Sequence, residues 1–390
     1  MGFDQRLGSA FYARLQGDLR AAMAEEGIGC LLLDGADDVL YASGFAHRPT
    51  ERPVVLALTA SEAVLLIPEL ERSHAAVQSI AAEPLVYFEY PGLESPFALL
   101  ARRLGRTEGK LAHGPGTAFA RVEALATLFP AVPVVCTGLV GDRRQRKYPE
   151  EIALHREAGR ISDAMVAAGV DLLREGLAAG GTLPSEIEME RHVTRHALAL
   201  MAREHEAIVD VPVLAGGLVT GGQRTALPHG IESNRRFERG EGVILSLGCR
   251  VGGRAAESER TFFLGEPTPA QARTYRLAAE AQRIGREAMR PGATCAGVDA
   301  LALGHLRAAG MAPHILHRTG HGMGVAFHEP PWVEEGDPTL LVTSMVLSCE
   351  PGLYVAGLGG FRLADTVLVG SDGPESLTHF PRSLEDSVIG

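Results

Sequence analysis

Two glutamates one residue apart, in Ala256-Glu257-Ser258-Glu259-Arg260-Thr261-Phe262-Phe263, form the first constellation in this chain with chemical potential. Side chains along a strand alternate faces, so Glu257, Glu259 and Thr261 share one side while Ser258 and Arg260 take the other. The aromatic pair that follows marks the strand as largely buried. Carboxylates entering such a region are costly unless something cationic meets them. The segment is therefore either a strand built to face a cation or a salt-bridged edge strand. A second constellation is Thr319-Gly-His321-Gly-Met-Gly-Val-Ala-Phe-His328-Glu-Pro-Pro, with His314 and His317 just upstream. Glycines there let the backbone approach a ligand closely, and histidine near neutral pH is an acid–base group or a metal ligand. His229 follows a proline in Ala-Leu-Pro-His-Gly and leads toward an apolar strand. Glu350 ends another apolar run, just before a Pro-Gly turn. Taken singly, a loop histidine or a turn glutamate is explained by structure alone. Together they are candidates for one cleft.

The elements that must position them follow from periodicity. Arg14–Glu26 is rich in helix formers and stops at Gly27 and Gly29. Cys30–Leu33 is a short buried strand, Val54–Leu58 and Val64–Ile67 form a hairpin, and Val132–Val135 adds another strand. Helix and strand alternate, as in a small α/β domain. A polar, basic break from Gly141 to Pro149 places a domain boundary near residue 145. Pro149-Glu150-Glu151 opens a long helix to about Glu175, with proline in the first turn and acids at the positive end of the dipole. Ser185 and Glu188 form a capping box for the next helix. Val243–Gly248 and Arg254–Leu264 flank Gly252-Gly253, a tight-turn signal, so the two glutamates lie on the return strand of a hairpin. Helices over Arg273–Arg290 and Val298–Ala309 and strands over Val342–Cys349 and Phe361–Val369 complete the second part.

Composition narrows the function classes. The 390 residues are 46% hydrophobic and 22% charged, ordinary for chains with a packed core, and the net charge is −11. That balance argues against nucleic acid or an anionic membrane as partner and suits a small cationic substrate better. Five scattered cysteines contain no CxxC pair, so neither a zinc knuckle nor a redox motif is written. They read as buried free thiols of a cytoplasmic protein. The start has no signal-peptide pattern, and no run approaches the roughly 18 apolar residues that span a bilayer.

The order of motifs resembles the pita-bread-fold peptidase clan, the Xaa-Pro dipeptidase, methionyl aminopeptidase and creatinase family. It comprises the His-Gly loop, the hairpin, the GHGxGxxxHExP loop, the EPGxY strand end and a final GxRxxD strand. The likeness spans the whole chain. It implies an α/β two-domain protein: a creatinase/prolidase-like N-terminal α/β domain over 1–145 and a C-terminal α+β pita-bread catalytic domain over 146–390. Metal-dependent members bind two divalent ions through five side chains, and the matching positions here are Ser246, Glu257, His321, Glu350 and Ala364. Serine and alanine supply no anionic oxygen to a divalent cation.

What remains is similar to creatinase, the metal-free member, whose return strand also carries the Glu-Arg-Thr found at Glu259-Arg260-Thr261. That resemblance implies a metal-independent hydrolase of a C–N bond in a small guanidino or amidino compound, with no cofactor. His229 is then the proton shuttle, and Glu259 and Glu350 hold the planar cation through charge-assisted hydrogen bonds. His321 and His328 donate to the oxygen that gains charge, and Glu257 and Arg362 complete the substrate pocket. Two other readings stand beside it. Glu257, His321 and Glu350 suffice for one Mn, Co or Zn ion in a dipeptidase-like peptidase, or the cleft binds peptides without catalysis. Relatives with this N-terminal domain are typically homodimers. Arg48 and Arg52, in the loop from Phe45 to Pro53, are expected either to fix a substrate carboxylate in the partner's site or to lie in a solvated loop.

Overall fold

The computed structural model describes residues 3–390. The chain separates into two compact units, one of residues 6–144 with 209–212, the other of residues 3–5, 145–208 and 213–390. The first is a six-stranded mixed sheet in the order Glu83–Tyr87, Ala63–Pro68, Val55–Thr59, Ile28–Leu33, Lys110–His113, Val134–Cys136. Its core follows from strand alternation: Cys30 with Leu32, Val55 with Ala57 and Val64 with Leu66 point to one face and pack on Leu100, Leu111 and Leu125. The helix expected from Arg14 begins earlier, at Ser9. Cys136 is exposed, unlike the other four cysteines, because it sits at the outer end of the sheet's last strand.

The second unit is built on a nine-stranded sheet. Its main path runs Glu329–Val333, Gly320–Gly322, Val346–Cys349, Ala364–Gly370, Arg254–Leu264, Gly242–Val251, Ala215–Gly221. The strand bearing Glu257 and Glu259 is thus interior, bonded on both sides, and not an edge strand. Gly252 and Gly253 have φ of 56° and 77°, which a two-residue hairpin turn of this type requires. The run expected as one strand over Phe361–Val369 is two, Gly359–Arg362 and Ala364–Gly370. They belong to different sheets, and the break falls at Leu363.

The helix Pro149–Ala178 lies across the hairpin and buries Leu154, Ala158, Ile161, Met165 and Leu173, a helical repeat of apolar positions. Gly169 permits the close approach, since a Cβ there would stand 2.8 Å from Leu245 Cδ1. The next helix, Glu186–Glu204, is capped as expected. Ser185 Oγ accepts from Glu188 N at 3.3 Å, and the Glu188 carboxylate accepts from Ser185 N at 2.8 Å. No helix among the described residues is long and apolar enough to cross a membrane.

One buried ion cluster fixes the centre of the sheet. Asp365 accepts from Arg260 Nη2 at 2.9 Å, Thr378 Oγ1 at 2.9 Å, Gln282 Nε2 at 2.6 Å and Arg382 Nε at 2.5 Å. Arg260 and Asp365 are fully buried. Burial by itself would raise the Asp365 carboxyl, but the charges of Arg260 and Arg382 overcome it and hold the pKa at about 2. Removing one member of such a pair strands the other. Asp365→Ala should lower unfolding free energy by about 3–5 kcal/mol, measured by urea denaturation. A loss below about 1 kcal/mol, the level of an exposed pair, would show that the cluster is not what joins these strands.

Candidate active site

Strand register brings the candidate residues together. Ser246 faces Glu259 across the hairpin, and Glu259 faces Ala364 on the other neighbouring strand. Directly opposed residues share a face, and Glu257 lies two residues along on that same face. Gly320–Gly322 supplies His321, Glu350 follows the strand Val346–Cys349, and His328 precedes Glu329–Val333. His229 comes from the loop after a short 3-10 turn, Gly222–Ala226.

Two cavities, of about 280 and 520 Å³, share His229, His328, Glu350 and Arg362 in their walls. The smaller adds Ser246, Glu257, Glu259 and Phe327, and the larger adds His317, Arg318 and His321. All these residues belong to the second unit. Arg48 and Arg52 do not. Arg48 pairs with Asp210 at 2.8 Å, and Arg52 with Glu89 at 2.5 Å and Glu51 at 2.8 Å, all within the first unit.

His321 Nε2 lies 3.4 Å from Glu350 Oε1 and 3.8 Å from Glu257 Oε1. His321 Nε2 and Glu257 Oε1 are both buried without a hydrogen-bond partner. Burial opposes a charge on His321, but Glu350 and Glu257 reverse that and push its pKa up to about 9. Glu257 is driven upward, by burial and by the charges of Glu259 and Glu350, against the attraction of His321. Glu350 is held below the usual carboxylate range: burial alone would raise it, and His321 and Arg362 prevail. His328, with its ring centroid 4.0 Å from that of His321, is pushed down to about 4 by burial and the neighbouring imidazole charge.

Glu259 behaves differently from its sequence reading. Its Oε2 accepts from Arg362 Nε at 2.5 Å, its Oε1 from Arg362 Nη2 at 3.4 Å, and Ser246 Oγ also donates to Oε1. Arg362 Nη1 donates to Tyr354 OH at 3.0 Å and to the Pro228 carbonyl at 3.1 Å. Tyr354 in turn bonds His317 Nε2 at 2.8 Å. The carboxylate expected to grip a substrate cation is already engaged by the protein's own guanidinium. Tyr354 and its link to Arg362 were missed in sequence, although the tyrosine is part of the EPGxY run.

His321, His328 and Glu350 bring their ligand atoms within 4.8 Å of one another. With Glu257 aimed at the same imidazole, two orphaned polar atoms and a flanking carboxylate converge. Of these four residues, Glu257, His321 and Glu350 make up the three protein ligands that suffice for one divalent cation, and His328 stands beside them. The set does not fit two, because Ser246 donates to Glu259 and Ala364 has no donor atom.

Residues 153–371 match metallopeptidase family M24, and residues 14–146 match the creatinase/prolidase N-terminal domain. A probable dipeptidase PepE of Mycobacterium tuberculosis is 32% identical, covering 97% of this chain and 98% of its own length. An Xaa-Pro dipeptidase of Pyrococcus furiosus is 31% identical over 83% of this chain and 86% of its own. Among solved structures, dipeptidase PepE from Mycobacterium ulcerans superimposes with a TM-score of 0.84 at 28% identity, covering 98% of this chain and 99% of that one. The prolidase from Pyrococcus horikoshii gives 0.83 at 25% identity, covering 95% and 99%. These likenesses overturn the expectation of a metal-independent, creatinase-like hydrolase of guanidino or amidino compounds. The matched family is one of metallopeptidases, and the relatives carry dipeptidase names. The expectation of no cofactor falls with it, since the matched family is one of metallopeptidases and His321, with Glu257, Glu350 and His328 around it, lies in a cluster with the donors a cation needs.

The electrostatics have a measurable sign. Glu257 and His321 hold protons more tightly folded than unfolded. Their contributions are full below the unfolded values, about 4.3 and 6.5, and vanish as pH rises, the last at about 9 for His321. Glu350 runs oppositely and loses its contribution only in acid. With chelator present, the urea midpoint should fall as pH rises from 7 toward about 9. Saturating Mn²⁺ should remove that fall, because a cation displaces the same protons. A midpoint rising with pH in chelator would contradict these assignments.

Proposed function

Because the chain belongs to metallopeptidase family M24, and is therefore a hydrolase, we propose that it cleaves the amide bond of dipeptides, Xaa-Pro dipeptides among them, using one divalent cation. The observation that carries this reading is the convergence of His321 Nε2, Glu257 Oε1 and Glu350 Oε1, the first two buried without a hydrogen bond, in the wall of an open cleft. Carboxylates and an imidazole suit Mn²⁺, Co²⁺ or Zn²⁺. The chemistry such a cation supplies is Lewis acidity.

The rest falls to the chain's own side chains. His328, kept neutral near pH 7, offers an N–H to the amide oxygen as charge develops there, and does so without carrying charge itself. Water is the nucleophile: His229, exposed in the wall common to both cavities, takes the proton that the water gives up as its oxygen bonds to the carbonyl carbon, and passes it to the nitrogen that departs as the C–N bond breaks. The two cavities have these groups in common and otherwise different walls, which suits a substrate with a residue on each side of the cleaved bond. Arg362 lines both cavities and is held from behind by its hydrogen bond to Tyr354 OH. The support for a dipeptide as substrate is the naming of the relatives at about one-third identity over nearly the whole chain.

The test is a dipeptide panel on protein stripped with chelator and then loaded with Mn²⁺, Co²⁺ or Zn²⁺. Metal should restore hydrolysis of at least one dipeptide. His229→Ala should reduce kcat by roughly 10²–10⁴ with little change in KM, as loss of a proton-transfer group does. Peptides that bind but are cleaved under none of the metals would make this a binding module.

A further inference from the structure

We infer that Glu259, set between Ser246 and Ala364 and engaged by Arg362, closes the position of a second cation and limits this site to one divalent ion. The inference deepens the one-cation reading above and rests on it. Ser246, Glu259 and Ala364 lie in register across three adjacent strands and share a face. The two side chains flanking Glu259 are a hydroxymethyl and a methyl, so its longer side chain fills the space between them. Both carboxylate oxygens are used: Oε1 accepts from Ser246 and Arg362, and Oε2 from Arg362. Among the described residues, nothing anionic is left over at this end of the cavity to hold a metal.

Charge leads to the same conclusion. Glu257, Glu259 and Glu350 line one cavity, and three negative charges so close together, two of them on buried residues, need the equivalent positive charge. One guanidinium and one divalent cation supply it, whereas a second divalent ion would leave an excess. Arg362 is almost completely buried, with a side-chain exposure of 4%, and three groups fix its orientation: Glu259, Tyr354 and the Pro228 carbonyl. It is an anchored charge rather than a mobile surface arginine. Glu259 touches neither the proposed cation nor the reacting atoms in this reading. It is a positioning residue that sets how many cations the site accepts.

The experiment counts Mn²⁺ per folded chain, by elemental analysis after dialysis and by calorimetric titration, in three proteins. They are the parent, the double variant Ser246→Asp/Ala364→Glu, and the triple variant that adds Glu259→Thr. The parent and the double variant should each take up one equivalent, because in both the Arg362–Glu259 pair still fills the second position. The triple variant should take up one more than the double. Two equivalents in the parent or the double variant would overturn the inference, as would no gain in a folded triple variant. A parent that binds no metal would instead sink the one-cation function, while the difference between triple and double variants still decides this point. Should the triple variant not fold, Glu259→Gln in the parent decides it. Leaving Arg362 uncompensated should weaken Mn²⁺ binding by at least about tenfold, the effect of one unbalanced charge at close range. Unchanged affinity would overturn the inference.

Discussion

Three carboxylates face one cleft, and the rest of the site follows from the need to neutralise them. Glu257, Glu259 and Glu350 come from an interior strand and from the end of another, and Glu257 and Glu259 are buried. In that setting an ionised carboxylate persists only beside a cation, or else takes up a proton. The structure uses each solution. Glu259 has Arg362, Glu350 has His321, and Glu257, left with the weakest partnership, is driven toward its protonated form. The position of least satisfaction is also the one where an added divalent cation brings the largest relief.

The scaffold makes this possible by being rigid where it carries charge. The Asp365 cluster joins Ala364–Gly370 to Arg254–Leu264 from the side opposite the cleft. Arg260 and Glu259 are neighbours on opposite faces of one strand, so the same backbone that buries a structural ion pair on one side presents a functional carboxylate on the other. A one-residue slip would exchange the two sets and leave both unpaired.

Membership of a family and departure from its ligand pattern are compatible because fold and chemistry have different determinants. Hairpin register, helix packing and the Asp365 cluster keep the architecture of relatives about one-third identical. Site chemistry is a local matter of a few side chains. Ser246 and Ala364 change the number of metal oxygens while leaving the strands that carry them intact, so the likeness of the whole chain outlasts the altered site. Those two positions lack donors at one end of the cleft and leave Glu257, His321 and Glu350 in place at the other.

Much of the architecture was determined locally and was legible in order along the chain. The Gly252-Gly253 turn, the Ser185–Glu188 capping box, the proline that opens the long helix and the alternating strands each act within a few residues. Motif order then identified the family, and the period of two placed Glu257 and Glu259 on one face. Only tertiary structure decided what Glu259 does. Its partner Arg362 is 103 residues away in sequence, and its flanking positions belong to two other strands. Which cation meets a buried carboxylate depends on such long-range registration, and spacing along the chain carries no trace of it. The sequence names the charges that a site contains. The fold decides which of them are already neutralised from within and which are left to be met by a ligand.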